Sequence, residues 1–76
     1  MNAADQTLDA RGLSCPLPIL KTRKALNAMT GGQTLQVTAT DVGFVKDISG
    51  FCEQTGNELV SSREQGNEHI FVIRKS

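Results

Sequence analysis

The chain has no tryptophan and no tyrosine, and its aromatic content is three phenylalanines. Proteins that hold single-stranded nucleic acid do so largely by stacking bases on aromatic rings along a basic groove. Eight basic residues stand against eight acidic ones, for a net charge of zero. Direct RNA binding and broad attraction to a membrane surface are therefore not expected, although a local basic patch is compatible with the balance. One histidine, His69, and two cysteines, Cys15 and Cys52, stand at no ligand-like spacing, which is too few donors for a tetrahedral zinc site. The longest aliphatic runs, such as Ile70-Phe71-Val72-Ile73, fall far short of the roughly 20 residues that span a bilayer. The opening Met1-Asn2-Ala3-Ala4-Asp5 lacks the basic-then-apolar order of a secretory signal. The expected location is the cytoplasm, where both cysteines are thiols rather than a disulfide.

What is present reads as one small domain over residues 1–76, with apolar residues at 38% of the chain, enough for a single thin core. Gln6-Thr7-Leu8-Asp9-Ala10 alternates polar and apolar, a short strand broken by Arg11-Gly12. From Pro16 the period changes. Ile19, Thr22, Leu26 and Met29 share one helical face, and Gly31-Gly32 supplies a left-handed stop, so a helix is expected from about Pro16 to about Thr30. Thr34 to Thr40 alternates strictly and is rich in strand formers. Asp41 is placed to cap a second helix whose stripe carries Phe44, Ile48, Phe51 and Thr55, with Val45 and Cys52 beside it, ended by Gly56-Asn57. Glu58 to Glu64 and Glu68 to Arg74 read as strands joined by the turn Gln65-Gly66-Asn67. The order βαβαββ implies an α+β two-layer sandwich, with a four-stranded mixed sheet and both helices on one face.

Cys15 stands directly before Pro16, and Pro18 follows within the first turn. Proline suits that turn because its missing N–H would lack a helical partner anyway. The helix start is expected to favour thiolate at Cys15, with the prolines stiffening its presentation. Acyl-transfer cysteine enzymes rely on a histidine base, and only His69 is available, in a strand where a solvated or edge position is expected. A thioredoxin-type site needs Cys-x-x-Cys, but Pro18 occupies the second cysteine's place. Sulfur exchange is a displacement between soft atoms and needs little beyond the thiolate. Single-cysteine sulfur relay is the chemistry that remains. For Cys52, on the flank of an apolar stripe, the expected role is buried filler.

The run Gly12-Leu13-Ser14-Cys15-Pro16-Leu17-Pro18, with Asp9 upstream, resembles the hallmark of the TusA (SirA-like) family, a Cys-Pro-x-Pro motif behind a Gly-Leu pair. The resemblance extends through Ala39-Thr40-Asp41, Lys46-Asp47, Gly56-Asn57-Glu58-Leu59 and the closing Ile73-Arg74-Lys75-Ser76. It implies the two-layer sandwich derived above and a sulfurtransferase without cofactor, which takes up sulfane sulfur as a persulfide on Cys15. The implied donor is a cysteine desulfurase or a rhodanese and the implied acceptor is of the DsrE-like type. The sulfur would end in dissimilatory sulfur oxidation or in tRNA 2-thiouridine. Many relatives carry Asp-Pro-Gly-Ser after the second strand where this chain has Asp41-Val42-Gly43-Phe44, so the entry to the second helix is expected to differ. Leu17 replaces the acidic residue of some tRNA-branch relatives, which suits an apolar partner surface and points to the oxidative branch.

Several roles attach to these residues. Gly12 permits the turn before Cys15, and Pro16 and Pro18 set the helix start. Asp9 is placed to fix the entry loop through backbone hydrogen bonds. Arg11 is a candidate for stabilising the thiolate or persulfide, for contacting an acidic partner, or for plain solvation. Lys21, Arg23 and Lys24 form a basic patch that either steers partners or is an ordinary wet helix face. Phe44 reads as core or as partner contact, with the stripe favouring core. A monomer is expected, since the carrier must show its cysteine to successive partners. The competing function is a non-catalytic regulatory or interaction module on the same fold.

Overall fold

The strictly alternating Thr34-Leu35-Gln36-Val37-Thr38-Ala39 forms strand β2 (Thr34–Ala39), and its odd-numbered side chains, Leu35, Val37 and Ala39, are buried. That alternation follows from the two-residue repeat of a strand lying on a core. The computed structural model describes residues 4–76. Met1 to Ala3, part of the stretch read above for export signals, lie outside the described residues. Strand β1 (Gln6–Ala10) runs parallel to β2, with helix α1 (Leu17–Asn27) as the crossover. Helix α2 (Val42–Thr55) leads to the antiparallel pair β3 (Glu58–Gln65) and β4 (Glu68–Arg74). Strand β4 also pairs antiparallel with β2, giving the order β1-β2-β4-β3. The mixed sheet with two helices is the architecture expected from the element order.

The helices and the sheet enclose one core of Ala10, Leu26, Met29, Leu35, Val37, Ala39, Phe44, Ile48, Phe51, Cys52, Phe71 and Ile73. Phe44 is 1% exposed, so its side chain belongs to the core. Its ring meets that of Phe71 edge to face, with centroids 5.5 Å apart and planes at 75°, a geometry favoured by the ring quadrupoles. Thr22 is the buried polar side chain of the α1 face, and its hydroxyl donates to the Pro18 carbonyl at 2.8 Å. Asp41 caps α2, its carboxylate accepting the Phe44 amide at 3.1 Å. Val42 takes the first helical position and is exposed. Gly56 ends α2 with φ +78°, a backbone that favours glycine.

Three sequence expectations need correction. Helix α1 begins at Leu17 with Pro16 as its N-cap, and ends at Asn27 with Ala28 as a right-handed C-cap. Gly31-Gly32 does not stop it. Gly32 instead turns the chain into β2, with φ +92° and its N–H donating to the Lys75 carbonyl at 2.8 Å. His69 is not at an edge: β4 is an interior strand and His69 is half-buried between Ala39 and Glu64. Arg11 lies along the groove of Thr7, Asp9, Gln36, Thr38 and Glu68, not the groove that holds Cys15.

The reason for Arg11 is local. Its guanidinium donates to both oxygens of Asp9, at 2.9 and 3.1 Å, and reaches Glu68 at 3.4 Å. Its amide also donates to Asp9, at 3.1 Å, so Asp9 does fix the loop entry as expected. Hydrogen bonds from the Arg11 side chain and amide hold the Asp9 carboxyl down at about 2, from its usual 3.8. A depressed carboxyl contributes stability above its unfolded value and loses it as pH falls through the folded one. Both side chains are well exposed, so the gain is small. Arg11→Ala should return the Asp9 titration toward 3.8, read by carboxyl carbon NMR, and leave Cys15 reactivity unchanged.

Candidate functional site

Between β1 and α1 the chain turns on Gly12, whose φ of +78° lets Leu13 N–H reach the Ala10 carbonyl at 3.3 Å. The Gly12 amide donates to Thr40 Oγ1 at 3.0 Å, tying the turn to the end of β2. A Cβ at Gly12 would meet nothing within 4 Å, so a β-branched residue there is opposed by the backbone conformation alone. A second turn, Leu17 N–H to the Ser14 carbonyl at 2.9 Å, carries Cys15 and Pro16 ahead of α1. Pro18 is packed inside the first turn and fully buried, which anchors the helix start on the core.

Cys15 is exposed and Cys52 is buried; both are free thiols. Cys15 opens on a groove of about 370 Å³ lined by Pro16, Ile19, Arg23, Lys46, Asp47, Gly50, Phe51 and Gln54. The floor is partly apolar, and the rim carries two cations and one carboxylate. The Arg23 guanidinium lies 5.6 Å from the centre of the Phe51 ring, a cation–π contact that fixes its charge at the groove. The Cys15 thiol donates to Asp47 Oδ2 at 3.7 Å. Gly43, in the first turn of α2, packs closely enough that a Cβ there would stand 3.7 Å from Cys15 Cβ and 2.9 Å from Asp41 Oδ2.

The protonation of Cys15 overturns the sequence expectation. Partial desolvation, the Asp47 charge and hydrogen bond, and then the Asp41 charge push the thiol above its ordinary value. The α1 dipole was expected to do the reverse. Cys15 sits one residue outside the N-cap, and helix-end effects fade within a turn. The carboxylates of Asp47, on α2, and of Asp41, its N-cap, act on the sulfur instead.

Of the other predicted residues, Arg23 reaches the groove, whereas Lys21 and Lys24 are exposed elsewhere on α1. Leu17 is 47% exposed beside the cysteine turn, with Leu20 at 52% one helical turn on. Sequence reasoning missed Asp47, Lys46 and Gly43 as site residues. The Asp41 cap and the Phe44/Ile48/Phe51 stripe fix the phase of α2, but they do not say that its Lys46-Asp47 edge meets a loop some 32 residues earlier.

The site is thus one exposed thiol, on a proline-flanked turn of a small α+β fold, opening on a groove with charged groups at its rim. A family model described as Sulfurtransferase TusA matches residues 6–75, and the chain belongs to that family. It is similar to the sulfur carrier protein TusA of Allochromatium vinosum, with 60% identity over 72 residues, covering 95% of each chain. Among solved structures, a SirA-like protein from Desulfitobacterium hafniense superposes with a TM-score of 0.80 at 22% identity, covering 91% of this chain and 95% of that one. The latter likeness establishes the fold. No helix among the described residues is long and apolar enough to cross a membrane.

Proposed function

We propose that this protein is a cytoplasmic sulfur carrier that holds sulfane sulfur as a persulfide on Cys15 and passes it to a partner protein. The observation that carries the reading is the placement of an exposed thiol on a turn braced by Gly12, Pro16 and the buried Pro18. Kinship with a curated sulfur carrier over nearly the whole chain supports it. The donor is a cysteine desulfurase or a rhodanese, and the acceptor is of the DsrE-like type. Both fates of the sulfur, oxidation and tRNA thiolation, share the same uptake step.

The partner surface surrounds the sulfur. Leu17 and Leu20 share a helix face, as residues three apart do, and their exposure supports apolar docking beside the cysteine. Arg23 and Lys46 add positive charge to the same groove, which suits a partner with an acidic rim. The chain works as a monomer, since each partner must reach the one thiol in turn.

Incubation with a small sulfane donor tests the reading. Intact mass should rise by one sulfur atom and return to the starting value after reductant. A mass that never rises contradicts it.

A further inference from the structure

Within the carrier reading of Cys15, on which this inference rests, the carboxylate opposite the sulfur has a task of its own. We propose that Asp47 is the proton partner of Cys15, holding the thiol hydrogen at rest and taking the proton when the sulfur attacks. Three observations meet there. The Cys15 thiol points at Asp47 Oδ2, 3.7 Å away. No ion pair engages the Asp47 carboxylate among the described residues, so it is free to accept. Both residues line one open groove that a partner's sulfur can enter.

The charged groups around the sulfur come from both helices. Asp47, Lys46 and the capping Asp41 belong to α2, and Arg23 to α1. Asp41 already accepts the Phe44 amide. Among the described residues, Asp47 alone accepts from the thiol.

The exchange closes without an oxidant. Cys15–SH and a donor persulfide, D–S–S⁻, give Cys15–S–S⁻ and D–SH. The Cys15 sulfur bonds to the outer sulfur of the donor and the donor S–S bond breaks, its electron pair leaving on the donor sulfur. The Cys15 proton passes to Asp47 and from there to the leaving thiolate. A leaving thiolate is a better leaving group when a proton meets it. At rest the same carboxylate keeps Cys15 as thiol, the less reactive form. The unloaded carrier is thereby shielded from alkylation and oxidation.

The contrast between two electrophiles tests this. Iodide leaves iodoacetamide without needing a proton, whereas a thiolate leaving a persulfide accepts one. Rates of alkylation and of sulfur uptake at Cys15 are measured from pH 6 to 11 for the wild type, Asp47→Asn, Asp47→Glu and Asp41→Asn. The exposed Asp47 tolerates either change without unfolding, and Asn keeps the α2 cap at position 41. For Asp47→Asn the alkylation midpoint should move to lower pH, with about a three- to tenfold faster reaction at pH 7, because the charge and hydrogen bond that favour the thiol are gone. Asp47→Glu should stay within about twofold of the wild type if charge is what matters. The ratio of sulfur uptake to alkylation should fall about a hundredfold in Asp47→Asn, the low side of what a placed proton donor contributes.

An Asp47→Asn profile that coincides with the wild type overturns the proposal, as does a shift confined to Asp41→Asn. An unchanged uptake-to-alkylation ratio overturns the proton return. A wild type that takes up no sulfur, while its alkylation profile still shifts in Asp47→Asn, sinks the carrier reading and leaves the resting hydrogen bond established.

Discussion

Cys15→Ser should take up no sulfur from any sulfane donor, while Cys52→Ala keeps the wild-type capacity. Serine nearly matches the shape of cysteine, but its hydroxyl stays protonated at neutral pH and is a poor nucleophile toward sulfur. The loss is chemical because the site is exposed, and surface substitutions away from special features change stability by only about 0.5 kcal/mol. Cys52 is 3% exposed, with its thiol pushed up by burial. A donor cannot reach it without local unfolding, so Cys52→Ala should lower stability by about 1 kcal/mol and leave uptake alone. Intact mass after donor treatment reads both variants. Full uptake by Cys15→Ser would move the chemistry elsewhere in the chain.

Phe44→Ala should have the largest effect on folding, about 3–5 kcal/mol measured by urea unfolding. The side chain is 1% exposed and joins α2 to β4 through its edge-to-face contact with Phe71. Removing it leaves a cavity beneath the first turn of α2, the turn that brings Asp41 and Gly43 against Cys15. A chain of this length has roughly 4–11 kcal/mol of stability at the usual 0.05–0.15 per residue, so the variant should be partly unfolded near physiological temperature. Phe44→Leu keeps most of the volume and should lose less than about 1.5 kcal/mol. A Phe44→Ala loss under that figure would show that the ring is not a keystone of the core.

Period and capping made most of the fold legible. The alternation of Thr34 to Ala39, the stripe from Phe44 to Phe51, the Asp41 cap and the Gly66 turn each point to one local structure, and each is found. The bounds of α1 were less legible. Pro16 looks like a first helical residue but serves as the N-cap. The Gly31-Gly32 pair looks like a stop, but Gly32 receives the chain end, with Lys75 paired to both Gly32 and Gln33. That partner lies more than forty residues away in sequence, so no local pattern could reveal it.

The site divides in the same way. Cys15, Gly12, Pro16 and Pro18 form one contiguous segment whose turn chemistry is written in residue types. The electrostatics of the thiol depend on α2, because Asp47 and Asp41 reach it only through the tertiary fold. Reading the near helix end alone therefore gave the wrong sign for the thiol shift. Arg11 shows the reverse case: a cation four residues before Cys15 reads as relevant to the thiol, yet the Asp9 side chain two residues before it takes up its charge.

Peptide-level location of the added sulfur tests the central claim most directly. Trypsin cuts after Arg11 and Lys21 and after Lys46 and Arg63, so residues 12–21 carry Cys15 and residues 47–63 carry Cys52. After donor treatment and non-reducing digestion, the extra sulfur atom should ride on 12–21 and be lost from it when a thiol acceptor is added. Sulfur found on 47–63, or on neither peptide of a protein that had gained mass, would contradict the assignment of Cys15 as the carrier.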